Sequence, residues 1–417
     1  MFLHRRHWLQ AGAAWLLASR AGMGSASWPQ WRGPTRDGQF EGEAWPDSLD
    51  AEHLEPRWRV ELEPSYSGPL AVEDRIFVTE TVAAEQERAS ALARSDGRVL
   101  WQTVWPGAMR VPFFARANGD WIRATPAWDG ACLYVAGMRD LLVCLDGQDG
   151  SERWRVDFMA EVGTALPSFG FVSSPLVLGD SVYVQAGGGF CRLEKQTGKL
   201  LWRTLVDGGG MWGSAFSSPY FTTLHGVPQI LVQTRERLAG VCPETGDVHW
   251  SVEVEAFRGM NILTPTVFED QLFTSSYGGG SWLFALDGQD PADPVRVVWR
   301  NRLQGYMSSP IIRDGHAYLH LRNRRFACLD LTTGKERWVT RPFGGYWSLV
   351  ANQDQLLALD ETGDLYLIRL NPEEFELQDS RKLTDNSWAH LAVAGQEVLI
   401  RDLAGLTVHH WAAPPSA

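Results

Sequence analysis

No stretch of this 417-residue chain holds 18 uninterrupted apolar residues, so no membrane-spanning helix is expected. Cysteine is scarce. The five stand at 132, 144, 191, 242 and 328, none adjacent and none in a CxxC pair, which excludes a CxxCH haem attachment site. Cys132 and Cys144 fall where they face each other across one hairpin, and a disulfide and two free thiols both fit that spacing. The ten His form no ligand cluster, and His316/His320 and His409/His410 read as strand residues, so no metal site is expected. Basic charge is short as well. The formal net charge of −12 argues against a nucleic-acid partner. Helical periodicity is absent between the recurring segments described next, which points to an all-β chain.

A phrase is repeated: a short apolar run, usually ending in an acid, then a Gly-containing turn, then a Trp. LDLTTGKERW ends at Trp338. Related phrases end at Trp101, Trp154, Trp202, Trp250 and Trp299, so the spacings are 53, 48, 48, 49 and 39 residues. A seventh copy, IRLNPEEFELQ, has Gln378 where the Trp is expected. A period of 40–50 residues is the mark of a repeat architecture. Upstream of each phrase a small residue precedes Pro (69, 126, 175, 219, 265, 310) and then two alternating strands; two further copies, from Trp347 and Trp388, lack the Pro. Each unit therefore reads as four strands, A to D. Gly takes the positive φ of the C–D turn without steric penalty, and the Trp on D projects toward the neighbouring unit.

Eight four-stranded antiparallel units arranged radially make an eight-bladed β-propeller. The eighth unit has no D strand before the chain ends. PRWRVEL, near the start, carries Trp58 where a D-strand Trp belongs, so this N-terminal strand is expected to close the ring. The expected organisation is an export signal over 1–26, an N-terminal extension over 27–55, the propeller over 56–411 and a tail over 412–417. The signal is read from Arg5-Arg6, the apolar run AGAAWLLA and the small residues Gly24-Ser25-Ala26. Its form is of the twin-arginine type, with a general secretory signal as the other reading. Either places a soluble mature chain in the periplasm or otherwise outside the cytoplasm.

The repeated phrase resembles the tryptophan-docking motif of quinoprotein (PQQ-like) β-propellers. That group includes PQQ-dependent alcohol dehydrogenases and, closer in length, the BamB-type outer-membrane-assembly factors. WPQWRGPTRDG, residues 28–38, is similar to the N-terminal segment of many bacterial PQQ-like repeat proteins. In that resemblance the structural Trp residues are Trp58, Trp101, Trp154, Trp202, Trp250, Trp299 and Trp338. The dehydrogenase branch implies PQQ with calcium, but its adjacent Cys pair is missing here and its catalytic Asp maps onto no position. The twin-arginine route, which exports folded and often cofactor-loaded proteins, keeps a cofactor in view. The leading expectation is a non-catalytic extracytoplasmic scaffold binding a cell-envelope protein or a small planar or ring-shaped ligand. The alternative is a quinoprotein-type oxidoreductase binding PQQ or a related cofactor.

In a propeller the D-to-A connections gather at one mouth of the central channel. Aligned on the Pro, they place Trp121, Arg123, Phe171, Trp212, Phe216, Arg258, Asn261, Tyr306, Tyr346, Trp347 and Trp388 together as the candidate ligand-binding surface. Large aromatics supply stacking area and Arg adds charge-assisted hydrogen bonds. Trp347 is expected to be dispensable for folding, in contrast to Trp202.

Overall fold

The computed structural model describes residues 26–213, 215–289 and 294–412; the export-signal expectation falls outside these residues up to position 25, and the tail beyond 412 does too. Eight sheets, each with four antiparallel blade strands, stand in a ring. Their inner A strands are Leu70–Val72, Ala127–Trp128, Leu176–Leu178, Tyr220–Leu224, Thr266–Phe268, Ile311–Arg313, Ser348–Asn352 and Ala392–Ala394. In the third blade, A is followed by Ser181–Gln185, Phe190–Glu194 and Leu200–Thr204. The B and C strands are buried almost throughout, while the D strands alternate toward solvent. That alternation is the pattern expected where one sheet face packs and the outer edge is wet.

Each Trp-bearing D strand carries a β-bulge immediately before its Trp, as at Arg153 before Trp154 and Arg337 before Trp338. A bulge re-aims the side chain that follows it. The Trp then lies on the C–D turn of the next blade. The ring of Trp154 sits on Gly198 and its Nε1 donates to Lys195 O at 2.9 Å. Trp58 does the same to Gly97 and Arg94 O, Trp101 to Gly150 and Gly147 O, Trp202 to Gly246 and Glu244 O, and Trp299 to Gly334 and Leu331 O. Trp338 donates to Asn371 O of the seventh blade. Trp250 is the exception. Its Nε1 donates to Gln229 Oε1 of its own blade, and the ring packs in one cluster with Leu272 and Phe284 of blade five, whose C–D connection is longer.

The eighth blade is built from both ends of the chain. Leu54–Glu61 pairs antiparallel with Gly405–Trp411, from Leu54 opposite Trp411 to Glu61 opposite Gly405. That strand begins at Leu54, inside the stretch set apart in the sequence as an extension. The seventh copy is also re-registered. The bulged residue is Gln378, so Asp379 occupies the position that Trp holds elsewhere. Asp379 Oδ2 accepts from Leu49 N at 2.6 Å and Ser48 Oγ at 3.0 Å. Gln378 Nε2 donates to Asp47 Oδ1, and Arg381 Nη1 to the carbonyls of Leu49 and Leu54. No C–D turn exists in blade eight to receive a Trp, because its C and D strands come from opposite termini. The segment before Leu54 covers that seam instead, with Phe40, Trp45 and Trp411 stacked in sequence.

The segment at 28–38 crosses the channel rather than trailing outside it. Trp28 pairs with Ala71 of blade one, Pro29 O accepts from Trp128 N of blade two, and Gln39–Phe40 adds a parallel strand to blade seven. Arg32 donates to Pro310 O at 2.6 Å, and Arg36 to Pro175 O at 2.7 Å and Ser174 O at 3.1 Å. Both guanidinium groups flank the Trp31 ring. Burial pulls Arg32 down to about 10 and Arg36 down to about 9. Cys132 and Cys144, on paired strands, are free thiols diagonal to each other: Cys144 lies opposite Tyr134 and Cys132 opposite Asp146.

The Trp-on-Gly contact is testable with two glycines that share a left-handed φ. A Cβ at Gly198 (φ 74°) would stand 2.6 Å from the Trp154 ring, whereas at Gly179 (φ 58°) it would meet nothing within 4 Å. Gly179→Ala is expected to cost only the backbone term, roughly 1–2 kcal/mol. Gly198→Ala should add about 1–3 kcal/mol of overpacking. Denaturant titration of both proteins measures the difference, and equal losses would show that the ring contact is not specific.

Candidate functional site

The D-to-A connections converge on one face, as the repeat demands, and their rings touch in series. Trp121 meets Tyr66 edge-on at 5.1 Å. Tyr66 stacks on Trp388 at 5.1 Å, and the contact passes from Trp388 to Tyr346 at 4.5 Å and on to Tyr306 at 6.0 Å. Tyr306 continues to Tyr277 and Phe257 of blade five. A second arc runs Phe113, Phe114, Phe169, Phe216, and Arg235 lies 4.9 Å over the Phe216 ring and 6.0 Å from that of Trp212. Between the arcs lies a cavity of about 310 Å³ to which all eight blades contribute.

Six of the eleven candidates from the sequence line it: Arg123, Phe216, Tyr306, Tyr346, Trp347 and Trp388. Trp121 stands behind Tyr66. Phe171 is buried against Phe158, and Asn261 is buried with its Nδ2 donating to the carbonyls of Arg235 and Val254, so both serve packing. Trp212 is 68% exposed on the rim, and the Arg258 guanidinium lies over Phe257 outside the cavity. Trp347 touches the cavity but is 1% exposed, stacked between His320 and Tyr366 with Phe326 and Phe343 against it. Its expected dispensability is therefore corrected: it belongs to the core between blades six and seven, whereas Trp202 is only half-buried.

Phe114, Met260, Ser348 and His390 line the cavity without having been singled out. Phe114 is delivered by the short 3-10 turn Phe113–Asn118, an insertion that alignment on the Pro does not register. His390 follows Trp388 by two residues and is visible only once the A strand is placed.

Among the described residues no carboxylate lines the cavity. Arg123 donates to Trp121 O at 3.2 Å and Gly119 O at 3.0 Å, lies 6.0 Å from the Tyr66 ring, and burial pulls it down to about 10. His390 meets Trp31 edge-on at 5.6 Å on its far side, and its Nδ1 is 3.3 Å from Ser348 Oγ. Desolvation, with Arg32 nearby, holds it down to about 4. The wall is thus aromatic, with cations at and behind it. Calcium takes carboxylate and other oxygen ligands; this wall offers no carboxylate, and among the described residues no group of three or more His, Cys, Asp or Glu is placed to hold a metal.

Fold and mouth together define an eight-bladed PQQ-like propeller with an aromatic central cavity. The family described as outer membrane protein assembly factor BamB matches residues 85–340, and the chain belongs to it. Over 276 residues it is 24% identical to "Outer membrane protein assembly factor BamB" of Yersinia pestis; the match covers 58% of this chain and 64% of that relative, just under two thirds of its length. Among solved structures, BamB from Moraxella catarrhalis superposes with a TM-score of 0.64 at 14% identity, over 87% of this chain and 99% of the other. A europium-containing methanol dehydrogenase superposes with a TM-score of 0.65 at 12% identity, over 91% and 90%. These two likenesses establish the fold alone.

Two outcomes follow from the site. Trp347→Ala should destabilise the chain by roughly 3–5 kcal/mol, the range for a buried large aromatic, and Trp388→Ala, at a half-buried mouth position, by clearly less; thermal melts compare them, and the reverse order would refute the assignment. The second concerns pH. Below the ordinary His pKa of 6.5 the unfolded chain takes up protons that half-buried His390, desolvated beside Arg32, refuses until about 4, so stability falls as pH drops through that window. The slope is at most about 1.4 kcal/mol per pH unit for each such histidine. His390→Gln should flatten the loss between pH 6.5 and 4.5, read from denaturant midpoints; an unchanged slope would mean that His390 is not the group.

Proposed function

We propose that the chain is an extracytoplasmic, non-catalytic scaffold that holds a cell-envelope protein against its aromatic mouth. One observation carries the reading. Phe113 (79% exposed), Phe114 (57%), Trp212 (68%) and Phe257 (43%) stand on three D-to-A connections of the mouth face, where large apolar side chains gain nothing from water. Membership in the BamB family supports a binding role in the envelope, and the export signal read at the N-terminus supports the location.

The second reading is a quinoprotein-type oxidoreductase with PQQ or a related cofactor at the mouth. The ring-lined cavity and Arg123 favour a planar anion, and the absence of a carboxylate from the wall disfavours its calcium partner. A photo-reactive residue at Trp212 in the exported protein should cross-link an envelope protein, and one at Lys335, on a C–D turn of the opposite face, should not. Absence of adduct at both positions, or equal adducts, would defeat the scaffold reading. Stoichiometric PQQ binding with dye-linked alcohol or sugar oxidation would establish the other.

A further inference from the structure

Beside the aromatic cavity lies a second, polar one of about 340 Å³ that shares Tyr306, Met307 and Tyr346 with it. Its other wall is the B–C turn of blade six, between His316–His320 and Phe326–Asp330. That turn contributes Arg322 and Arg324, and among the described residues no carboxylate lines the space. The Arg322 guanidinium lies 3.9 Å from the Tyr277 ring centroid, which holds the fork at the cavity wall, and it forms no ion pair among the described residues. Arg324 reaches Glu361 only at 3.6 Å. His320, 4% exposed, also lines the space, and its Nε2 is buried without a hydrogen-bond partner. Arg322, without an ion pair, and Arg324, paired only with Glu361 at 3.6 Å, are donors short of an acceptor, and a carboxylate is the acceptor that matches an Arg fork.

We infer that the two cavities form one bipartite site for a polypeptide segment, which places an aromatic side chain in the central cavity and an adjacent carboxylate between Arg322 and Arg324. The inference rests on the scaffold reading and names its partner's chemistry. A small aromatic acid would satisfy both cavities, yet it would leave Phe113, Trp212 and Phe257 in water, because none of the three lines either cavity. A chain lying across the mouth covers them. At the mouth, the guanidinium groups of Arg123 and Arg258 also form no ion pair among the described residues, so an acidic segment meets attraction there despite the chain's overall negative charge.

The test uses the mature chain with its N-terminal segment intact and a fluorescent, end-capped peptide Gly-Ser-Asp-Phe-Asp-Ser-Gly. Anisotropy should show binding that weakens at least about tenfold when Lys replaces both Asp, or Ala replaces Phe. A similar loss is expected for the protein carrying Arg322→Glu with Arg324→Glu, whose melting temperature should be unchanged because both side chains are exposed. Binding that ignores the Asp-to-Lys change or the double substitution would overturn the inference. So would no binding to the wild-type chain, or full competition by equimolar phenylacetate. Cross-linking from Trp212 separates this from the scaffold reading: an adduct retained in the double variant overturns only the bipartite site, whereas no adduct in the wild-type chain overturns both.

Discussion

A Trp ring laid on a glycine of the next blade holds the propeller together. The bulge before each Trp turns the side chain out of its own sheet, and the following blade presents a Gly at φ 68–79° with no Cβ in the way. The indole N–H then closes the contact on a turn carbonyl. The contact is directional: Trp58, Trp101, Trp154, Trp202 and Trp299 each lie on the turn glycine of the next blade, which requires a neighbour whose C and D strands are continuous.

Where the condition fails, the chain supplies something different. The eighth blade joins two termini and so offers no turn. In the seventh, Asp379 replaces the Trp and takes hydrogen bonds from Ser48 and Leu49 instead. The same N-terminal stretch has just crossed the channel, with Arg32 and Arg36 donating to carbonyls of blades six and three. Two buried guanidinium ions are costly to desolvate, and hydrogen bonding to backbone oxygens with the Trp31 ring within 5.6 Å of each offsets part of that cost. Ring closure and channel filling are thus performed by one continuous segment, Trp28 to Glu61.

Filling the channel from one side leaves depth only at the other. The mouth keeps its cavity because residues 28–38 stop behind His390, and the rings around it are half-buried rather than packed shut. The cations at and behind that wall, Arg123, Arg32 and Arg36, face no carboxylate of the described residues inside it.

The repeat made the architecture legible. The Gly-turn-Trp phrase recurs every 39–53 residues and a Pro precedes six of the eight A strands, and eight such units leave one arrangement of strands that buries the B and C strands almost throughout. Connections could be assigned to one face for the same reason, so Tyr306, Tyr346, Phe216, Arg123 and Trp388 could be named. What the sequence could not separate was Trp347 from Trp388. Both precede an A strand, yet one lies between His320 and Tyr366 of two blades and the other opens on the cavity. Inter-blade packing decides that difference, because it depends on neighbours some 20–40 positions away. The role of residues 28–54 was hidden likewise: a single-copy segment has no period to read, and only the closed ring shows that it plugs the channel and covers the one seam without a Trp.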